Sequence, residues 1–491
     1  MNKGTQFLIN TGINHLHKNK LLEAELCFKE ALKETSNLSL VYSYLIPVLI
    51  QQSKEDEAYL FNQNFLRDVG ESENYYIYDG ILNLNKNFLG QALKSFKNVL
   101  KINSKNYDAL VNMGVALNKM ILNQDAMKSL KKAIVLNPNK NLAYQNIGKV
   151  YEDEGEYQQA INHYKKALEI NPQDFETIHN LSLAQLAIGD FVNGWKNYDL
   201  RWKKRNKNYK YAHIPNLDSL NDINKKKILI WYEQGLGDTI QFSRYVDLLI
   251  TKGAEVTFEV QSPLANFFKN NFDCEIIDSK TNKKFDFQLP LLSLPKLFGM
   301  TLENTLKLNK YLKCKIEKKS FWLDELSLSS DKLNIGIAIS GNPKQASEYR
   351  RKIDLINFVP LLKYSKIYLV QKEIAKEQEE ILFKNKDIIF LGDNKNWENF
   401  DDTSAIIDNL DIVISVCTSI VHLSGAMNKK TILLLSKPAD WRWGLNEDTS
   451  PKWYESVEII RQNEIRKWDT VLDKLENKII HEYQNKILKI N

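Results

Sequence analysis

Three loops carry the residues whose types and spacing are best suited to chemistry, at positions 233–239, 340–344 and 415–426. Each loop follows a short run of β-branched or aromatic residues, a pattern that predicts a strand. Ligands of parallel α/β proteins bind beyond the carboxyl ends of the strands. The positions of the three loops therefore predict a ligand site, and the residue types of the second and third predict an anionic ligand.

The first loop combines two glycines with an acidic residue. Gly235 and Gly237 allow a tight turn, and Asp238 lies at the start of a predicted helix over 238–251. An acidic residue at this position serves either as a helix cap or as a general base. The loop lacks the GxGxxG fingerprint of dinucleotide-binding folds, which argues against a dehydrogenase.

The second loop combines polar strand-end residues with fixed positive charge. Ser340, Gly341 and Asn342 follow a predicted strand, and Arg350 and Arg351 come shortly afterwards. The planar guanidinium group matches the geometry of phosphate oxygens and forms paired hydrogen bonds with them. This loop is therefore expected to contribute to a phosphate site.

The third loop leads from a strand directly into a helix. Thr418 and Ser419 offer hydroxyl groups at the first turn, where the backbone N–H groups have no partners within the helix. A helix N-terminus of this kind binds anions. His422 lies one turn further on, either within the same site or as a buried core histidine.

The part of the chain before these loops contains an internal repeat that predicts its structure. The segments 97–104, 131–138 and 165–172 are similar to one another and recur every 34 residues. This is the period of the tetratricopeptide repeat, in which each unit is a pair of antiparallel helices, and residues 5–205 resemble six such units. Small residues recur at two offsets, namely Gly12, Gly80, Gly114 and Gly148 at one, and Ala24, Ala58, Ala92, Ala126 and Ala160 at the other.

The predicted solenoid carries no chemistry of its own. Its concave face is expected to bind a protein partner or an acceptor, although the array alternatively only supports or dimerises the rest of the chain. The second unit departs from the pattern, with Ile46 where glycine is usual. A basic run over 201–210 is interpreted as the solvated end of a helix, with the attraction of an acidic partner as the alternative.

From residue 225 the pattern changes to short strands that alternate with helices, which is typical of parallel βαβ units. Ten strands are predicted, in two groups separated by a break at 318–332. The predicted fold is a helical repeat solenoid followed by an α/β unit of two doubly wound lobes. Its parts are a solenoid over 5–205, a linker over 206–224, a first lobe over 225–325, a second lobe over 331–470 and a C-terminal helix over 471–491.

Four motifs of the α/β part resemble those of a known family. In chain order they read GLGDTIQFSRYVDLL, IAISGNPKQ, ISVCTSIVHLSGAM and KPADWRWG. Together they resemble the heptosyltransferase-like proteins of glycosyltransferase family 9, in particular bacterial members fused to tetratricopeptide repeats. The resemblance implies a GT-B fold of two Rossmann-like lobes and inverting transfer from a nucleotide-diphosphate sugar, with no metal or other cofactor. The plan is also similar to that of the protein O-GlcNAc transferases.

The resemblance assigns roles to individual residues. Asp238 matches the family's candidate general base, and Cys417 stands where relatives usually carry aspartate. The residues expected to bind the donor are Gly235, Gly237, Ser340, Gly341, Asn342, Arg351, Thr418, Ser419 and His422. Because of Cys417, a catalytically degenerate scaffold that binds other proteins is the alternative. Trp441 and Trp443 are interpreted either as packing residues or as a sugar platform.

The composition of the chain argues against several other classes of protein. The chain has 67 Lys and Arg against 61 Asp and Glu, a net charge of +6 that is too small and too dispersed for a nucleic-acid-binding protein. Four scattered cysteines without a CxxC motif argue against a zinc site and against a disulfide framework. With no signal peptide or transmembrane run in the sequence, a cytoplasmic location is expected.

The expected partners are those that the resemblance and the repeats imply. They are a nucleotide-diphosphate sugar donor, a protein or glycan acceptor, and a protein bound in the groove of the repeats. A sugar-nucleotide epimerase of the same fold is a further alternative, since it needs no acceptor.

Overall fold

The computed structural model describes residues 3–206, 209–305, 310–342, 348–446 and 452–490. The chain divides into two compact units, Met1–Thr177 and Ile178–Asn491. Three parts of the sequence predictions lie outside the described residues: Pro343 and Lys344 of the second loop, Lys207 of the basic run, and the side chains of Lys204 and Arg205.

The first part of the chain is built of helices joined by short turns. Over 3–198, the described residues form twelve α-helices: α1 Lys3–His17, α2 Leu21–Glu34, α3 Leu38–Gln51, α4 Glu55–Val69, α5 Glu73–Asn85, α6 Leu89–Ile102, α7 Tyr107–Lys119, α8 Asn123–Leu136, α9 Asn141–Glu154, α10 Tyr157–Ile170, α11 Phe175–Ala187 and α12 Phe191–Tyr198. A 34-residue frame from residue 5 predicts unit starts at 5, 39, 73, 107, 141 and 175, and each falls within two residues of a helix start. The predicted helical solenoid is therefore confirmed.

The recurring glycines allow close approach of the two helices in one repeat. A Cβ atom placed on Gly12 would lie 2.7 Å from the ring of Phe28, which is too close for real atoms. The same relation recurs sixteen residues apart in other units, between Gly80 and Phe96, Gly114 and Leu130, and Gly148 and Tyr164. The large side chains of α2, α6, α8 and α10 thus pack directly on backbone of the preceding helix.

The second unit departs from this pattern, since it has a larger side chain at the glycine position and a smaller one at the position that is large in the other units. Ile46 stands at the glycine position and Asn62 at the position of the large side chain, and both are completely buried. The exchange keeps the summed side-chain volume similar, which packed interiors tolerate better than a net change. The sequence departure at Ile46 is therefore compatible with the same helix pairing.

We expect Gly80→Ala to lower the stability of the solenoid by about 1–3 kcal/mol, because the added methyl group overpacks the contact with Phe96. Gly90→Ala is the matched control, since no atom lies within 4 Å of its added Cβ and alanine favours the helix. Urea unfolding followed by circular dichroism at 222 nm checks both variants. Equal stability of Gly80→Ala and Gly90→Ala would contradict the packing described here.

The later part of the chain contains two parallel sheets. The first sheet has the order β3-β2-β1-β4 and the second the order β10-β9-β8-β5-β6-β7. Their strands are β1 Lys227–Trp231, β2 Glu255–Glu259, β3 Glu275–Ile277, β4 Phe287–Pro290, β5 Leu333–Ala338, β6 Ser365–Leu369, β7 Ile388–Phe390, β8 Ile412–Ser415, β9 Thr431–Leu435 and β10 Val457–Arg461. The predicted parallel α/β region is therefore confirmed.

Ten further α-helices occupy the described residues of this region. They are α13 Leu236–Phe242, α14 Val246–Thr251, α15 Ser262–Lys269, α16 Leu294–Leu297, α17 Ile316–Glu325, α18 Glu348–Arg351, α19 Glu379–Lys384, α20 Phe400–Asn409, α21 Ser419–Ala426 and α22 Asp469–Ile490. The last helix packs on the second sheet through Val471, Leu475 and Ile479, which belong to the same apolar core as the strands. None of the helices in the described residues combines the length and the apolar composition needed to cross a bilayer.

The prediction of one continuous helix over 238–251 is wrong. The helix is interrupted by a 3₁₀ turn, Ser243–Tyr245, between α13 and α14. The hydroxyl of Ser243 donates to the carbonyl of Ile240 at 2.9 Å, and Nε of Arg244 donates to the carbonyl of Gln241 at 2.8 Å. These side chains bond to carbonyls that a regular helix would use for its own ladder, so the interruption has a local cause.

Each sheet has a point at which the order of its strands reverses. In the first sheet this point lies between β1 and β4, and in the second between β5 and β8. Ligands of α/β proteins bind at such switch points, beyond the carboxyl ends of the strands. The first predicted loop follows β1, whereas the second and third follow β5 and β8.

The described part of the predicted linker, 209–224, pairs with the edge of the first sheet. The amide of Leu217 donates to the carbonyl of Gln288 at 3.0 Å, and the amide of Gln288 donates to the carbonyl of Pro215 at 2.9 Å. The side chain of Gln288 also donates to that of Asn216 at 2.5 Å. This segment therefore covers the free edge of β4.

Candidate functional site

The first and third predicted loops meet at the N-terminal turns of α13 and α21. Gly237 marks the contact, since a Cβ atom there would lie 2.9 Å from Cδ2 of His422 and 3.4 Å from Cα of Ser419. A larger residue at 237 would push the two helices apart. The carboxyl ends of the two sheets are thus brought together where both predicted motifs lie.

Asp238 occupies the third position of α13 and both of its carboxylate oxygens are engaged. Its Oδ2 accepts a hydrogen bond from the amide of Gly235 at 2.9 Å, which caps the helix as predicted for an acidic residue there. Its Oδ1 is bound by the guanidinium of Arg442. Burial raises the pKa of Asp238 and the Arg442 charge opposes that rise, leaving the pKa above its ordinary value.

Arg442 is the main site residue that sequence reasoning missed. Its NH1 atom donates to both carboxylate oxygens of Asp440, at 2.9 and 3.2 Å, while its NH2 atom binds Asp238. The guanidinium carbon lies 4.3 Å from the ring centre of Trp441. A charged residue between two tryptophans in KPADWRWG was the available signal, because such a residue must be paired to be buried.

The neighbours of Arg442 fix its backbone. The indole of Trp453 donates to the Arg442 carbonyl at 2.7 Å, and the side chain of Arg442 is only 8% exposed. Burial alone would raise the pKa of Asp440, but the charge of Arg442 outweighs it and the pKa lies below its ordinary value. Arg442 is therefore a buried cation shared by two carboxylates that come from different sheets.

The third loop places its hydroxyl and thiol groups at the start of α21. Thr418 caps the helix, with its Oγ1 accepting from the amide of Ile420 at 3.2 Å, and Ser419 is the first helical residue. The sulfur of Cys417 accepts a hydrogen bond from the indole of Trp443 at 3.2 Å. Burial raises the pKa of Cys417 to about 12, so the thiol is neutral near pH 7.

His422 is a buried, neutral ring. Its Nδ1 lies 3.0 Å from the hydroxyl of Tyr454, and its ring stacks on Trp443 at a centroid distance of 5.5 Å. Burial lowers the pKa of His422 to about 3, and the neighbouring Arg442 acts in the same direction. The imidazole therefore contributes packing and hydrogen bonding at this site but no positive charge.

The second loop is tied to the third by Arg351. Its Nε donates to Glu348 at 2.6 Å and its NH1 donates to the carbonyl of Cys417 at 2.7 Å. Gly341 leaves room for this guanidinium, and its amide donates to Glu348 at 2.6 Å. Ser340 precedes it and accepts from the side chain of Gln371 at 3.4 Å. Arg351 therefore bridges the loops on both sides of the second switch point.

Asn342 follows Gly341 in the second loop and is the last described residue before 348. The structure thus brings the second and third loops together at the switch point of the second sheet, and adds Asp238 from the first sheet.

The switch point of the first sheet is filled by the chain itself. Arg201, in the 3₁₀ helix Asp199–Asn206, donates to Glu233 through Nε at 2.8 Å and through NH2 at 2.5 Å. Glu233 follows β1 and also accepts from the amide of Leu292, which follows β4, at 3.1 Å. Arg201 and Glu233 are 7% and 8% exposed. This buried pair occupies the position where a ligand of the first sheet would bind.

The interpretation of the basic run as a solvated helix end is therefore wrong for two of its members. Arg201 is buried against Glu233, and Lys210 is paired with Glu259, whose side chain is almost completely buried. Both acidic partners belong to the first sheet region, Glu259 at the end of β2. The run joins the last helical residues to this sheet through ion pairs.

The two tryptophans of the motif KPADWRWG are packing residues. Trp441 and Trp443 are 8% and 2% exposed, which leaves no open ring face for a sugar. Trp441 packs edge-on against Trp195, with ring centres 5.3 Å apart, and both lie close to Phe242 of α13. The aromatic cluster thus holds α12, α13 and the 3₁₀ turn Trp441–Trp443 together.

Comparison with known proteins identifies the repeated part. Residues 142–174 match the tetratricopeptide repeat family. The protein FlbA of Caulobacter vibrioides is 22% identical over 315 residues, which is 59% of this chain and 52% of FlbA. The chain thus spans about half the length of this curated relative.

Solved tetratricopeptide repeat proteins are similar to a part of this chain. TTC0263 of Thermus thermophilus has 19% identity and a TM-score of 0.34, covering 37% of this chain and 99% of its own. YrrB, described as having an unusual peptide-binding site, has 20% identity and a TM-score of 0.28, covering 35% of this chain and 89% of its own.

The family match over 142–174, together with the consecutive helices, confirms the tetratricopeptide repeat solenoid predicted from the 34-residue period. The similarity of the segments 97–104, 131–138 and 165–172, 34 residues apart, was sufficient to find the repeats, because these repeats pack the same residue types at the same positions. In the part of the chain that the structure describes, no group of three or more His, Cys, Asp or Glu side chains is arranged to hold a metal ion.

Proposed function

We propose that this chain is an inverting, metal-independent glycosyltransferase that moves a sugar from a nucleotide-diphosphate sugar to a hydroxyl acceptor. The proposal follows the resemblance of its four motifs to glycosyltransferase family 9 and the GT-B arrangement which that resemblance implies. The observation that carries it is the meeting of Asp238, from the first sheet, with Arg442 and the N-terminus of α21, from the second.

The donor site is proposed at the switch point of the second sheet. The loops after β5 and β8 flank this point, and Arg351 bridges them through its bond to the Cys417 carbonyl. The first-turn amides of α21 supply hydrogen-bond donors, and guanidinium groups supply charge. These groups suit a leaving diphosphate, whose negative charge must be stabilised when no metal does so.

The acceptor side is proposed at Asp238. Inversion needs a base that takes the acceptor proton as its oxygen attacks the anomeric carbon. Asp238 lies at the contact between the sheets, and burial raises its pKa above the ordinary value, so its carboxylate accepts a proton more readily than an exposed one. The first sheet holds no second nucleotide in this proposal, since Arg201 and Glu233 fill its switch point.

The tetratricopeptide repeats are proposed to bind the acceptor or a protein partner. Solenoids of this kind present an extended surface along consecutive units. An acceptor that is a protein, or is carried by one, would use this surface, whereas a free glycan would not need it.

The test is a panel of nucleotide sugars, namely UDP-glucose, UDP-N-acetylglucosamine, GDP-mannose and ADP-glucose. Calorimetry measures binding, and release of the nucleoside diphosphate measures turnover. We expect at least one donor to bind and to be consumed slowly by water or by an added acceptor. Absence of binding to all four donors would contradict the proposed activity.

A catalytically degenerate scaffold is the second candidate, and one observation favours it. Cys417 is a neutral thiol bonded to Trp443, at the position where family 9 proteins usually have aspartate. In Cys417→Asp the indole of Trp443 would donate to a carboxylate, on the residue whose backbone carbonyl is bound by Arg351. Donor binding that appears only in Cys417→Asp would support the scaffold, whereas binding by the unaltered chain would support the enzyme.

A further inference from the structure

We propose that Arg442 is a movable counter-ion that holds Asp238 inactive in the empty site and turns to the donor diphosphate when the donor binds. The inference rests on the proposed function and adds a residue and a step to it. It assigns Arg442 contact with the leaving group, a role that the motif resemblance leaves unassigned.

Both carboxylate oxygens of Asp238 are bound in the structure as it stands. Its Oδ2 accepts a hydrogen bond from the amide of Gly235, and its Oδ1 accepts one from NH2 of Arg442. A carboxylate oxygen that already binds a guanidinium is a poor acceptor for a further proton, because protonation would break the ion pair. A base at this position needs Arg442 to be moved away first.

Arg442 has a second carboxylate partner, Asp440, which keeps its charge compensated in the buried site. The NH1 atom of Arg442 donates to both carboxylate oxygens of Asp440, at 2.9 and 3.2 Å. Asp440 lies two residues before Arg442 in the chain. The NH2 atom therefore has freedom to leave Asp238 while NH1 remains bound to Asp440. The backbone of Arg442 stays fixed by Trp453, so only the outer part of the side chain needs to move.

The turn at the start of α21 is where the NH2 atom of Arg442 would find its new partner. Arg351 donates through NH1 to the carbonyl of Cys417 at 2.7 Å, and Trp443, the residue after Arg442, donates to the sulfur of Cys417 at 3.2 Å. Arg351 and the segment that carries Arg442 therefore approach the turn at the start of α21 from different elements. A diphosphate placed there would compete with Asp238 for Arg442, since it carries more negative charge than one carboxylate.

The chemical step balances as a single displacement. The acceptor oxygen forms a bond to the anomeric carbon as the bond from that carbon to the phosphate oxygen breaks. The acceptor proton goes to Oδ1 of Asp238, and the electron pair leaves with the nucleoside diphosphate. Arg442 stabilises the charge that develops on this leaving group.

Asp238 faces several charged or titratable groups from the elements packed around it. They are Arg442 and Asp440 from the segment after β9 and Tyr198 from α12, while His422 of α21 lies against the neighbouring Gly237. His422 is neutral across the usual assay range, and burial raises the pKa of Tyr198 above it. Arg442 is therefore the cation among them that keeps the carboxylate of Asp238 ionised.

The experiment compares the full chain with Arg442→Gln, Arg442→Lys and a control, Lys384→Gln. Lys384 is exposed on α19 and pairs there with Glu380. For each chain, donor consumption is measured against pH with the donor that the panel selects, and binding of the matching nucleoside diphosphate is measured by calorimetry. Intrinsic tryptophan fluorescence checks that each variant is folded.

We expect Arg442→Gln to lower kcat by about 10²–10³-fold and to weaken nucleoside diphosphate binding. The acid limb of its kcat/KM profile should move to higher pH, since Asp238 loses the cation that favours its charged form. Arg442→Lys should recover part of kcat and return the acid limb towards its original position. Lys384→Gln should match the unaltered chain.

Two results would overturn the inference separately from the proposed function. An active chain whose acid limb and diphosphate affinity are unchanged in Arg442→Gln would show that Arg442 has only a structural role. If Arg442→Gln does not fold, Arg442→Lys is compared with the unaltered chain, and a shifted acid limb with lost diphosphate affinity, despite the retained positive charge, would overturn the inference. An unaltered chain that consumes no donor would overturn the proposed function, and this inference with it.

Discussion

Replacing Asp238 with asparagine is expected to reduce turnover by about 10²–10⁴-fold, the range that a positioned general base contributes. Asparagine keeps the side-chain volume and can still accept the hydrogen bond from the amide of Gly235, so α13 should retain its cap. Donor affinity should change little, because the proposed donor groups belong to the second sheet. Single-turnover kinetics and calorimetry measure the two quantities separately.

The control for this prediction is Glu380→Gln, which removes an exposed carboxylate on α19 and should leave turnover unchanged. Loss of donor affinity in Asp238→Asn, with the rate of the bound complex preserved, would contradict the assignment. It would place Asp238 in binding or in structure rather than in proton transfer. An unchanged rate would exclude it as the base.

Replacing Arg201 with methionine is expected to lower the free energy of unfolding of the α/β unit by about 3–5 kcal/mol. The reason is that Glu233 would keep its burial and its bond to the amide of Leu292, but would lose the cation that compensates its charge. All nine tryptophans lie beyond residue 177, so tryptophan fluorescence during urea unfolding reports on this unit alone.

Two variants control the effect of Arg201→Met. Lys203→Met changes an exposed residue of the same run and should alter the unfolding free energy by no more than about 0.5 kcal/mol. The double variant Arg201→Met with Glu233→Gln removes the uncompensated charge and should recover part of the loss. Equal stability of Arg201→Met and Lys203→Met would show that the ion pair does not hold this region.

The fold was largely predictable from the sequence because its signals are local and repeated. The 34-residue period located the helix pairs, and the β-branched runs located all ten strands to within about three residues. The error at 243–245 arose because a helical pattern does not reveal side chains that bond to backbone carbonyls. Ser243 and Arg244 act in this way.

The candidate site was predictable only in part. Residues that follow strands were found, since the carboxyl ends of parallel strands share one edge of a sheet. Arg442 and Glu233 were missed because their partners are distant in sequence, Asp238 for the one and Arg201 for the other. Charged residues are common on surfaces, so only the folded chain distinguishes a buried ion pair from a solvated side chain.

We propose that a nucleotide diphosphate binds at the switch point between β5 and β8. A crystal structure of the full chain with the nucleotide sugar that binds most tightly in the panel tests it most directly. We predict the diphosphate beyond the carboxyl ends of these strands, at the first turn of α21 and within reach of Arg351. A nucleotide bound elsewhere, or a site that stays empty at saturating donor, would contradict this account.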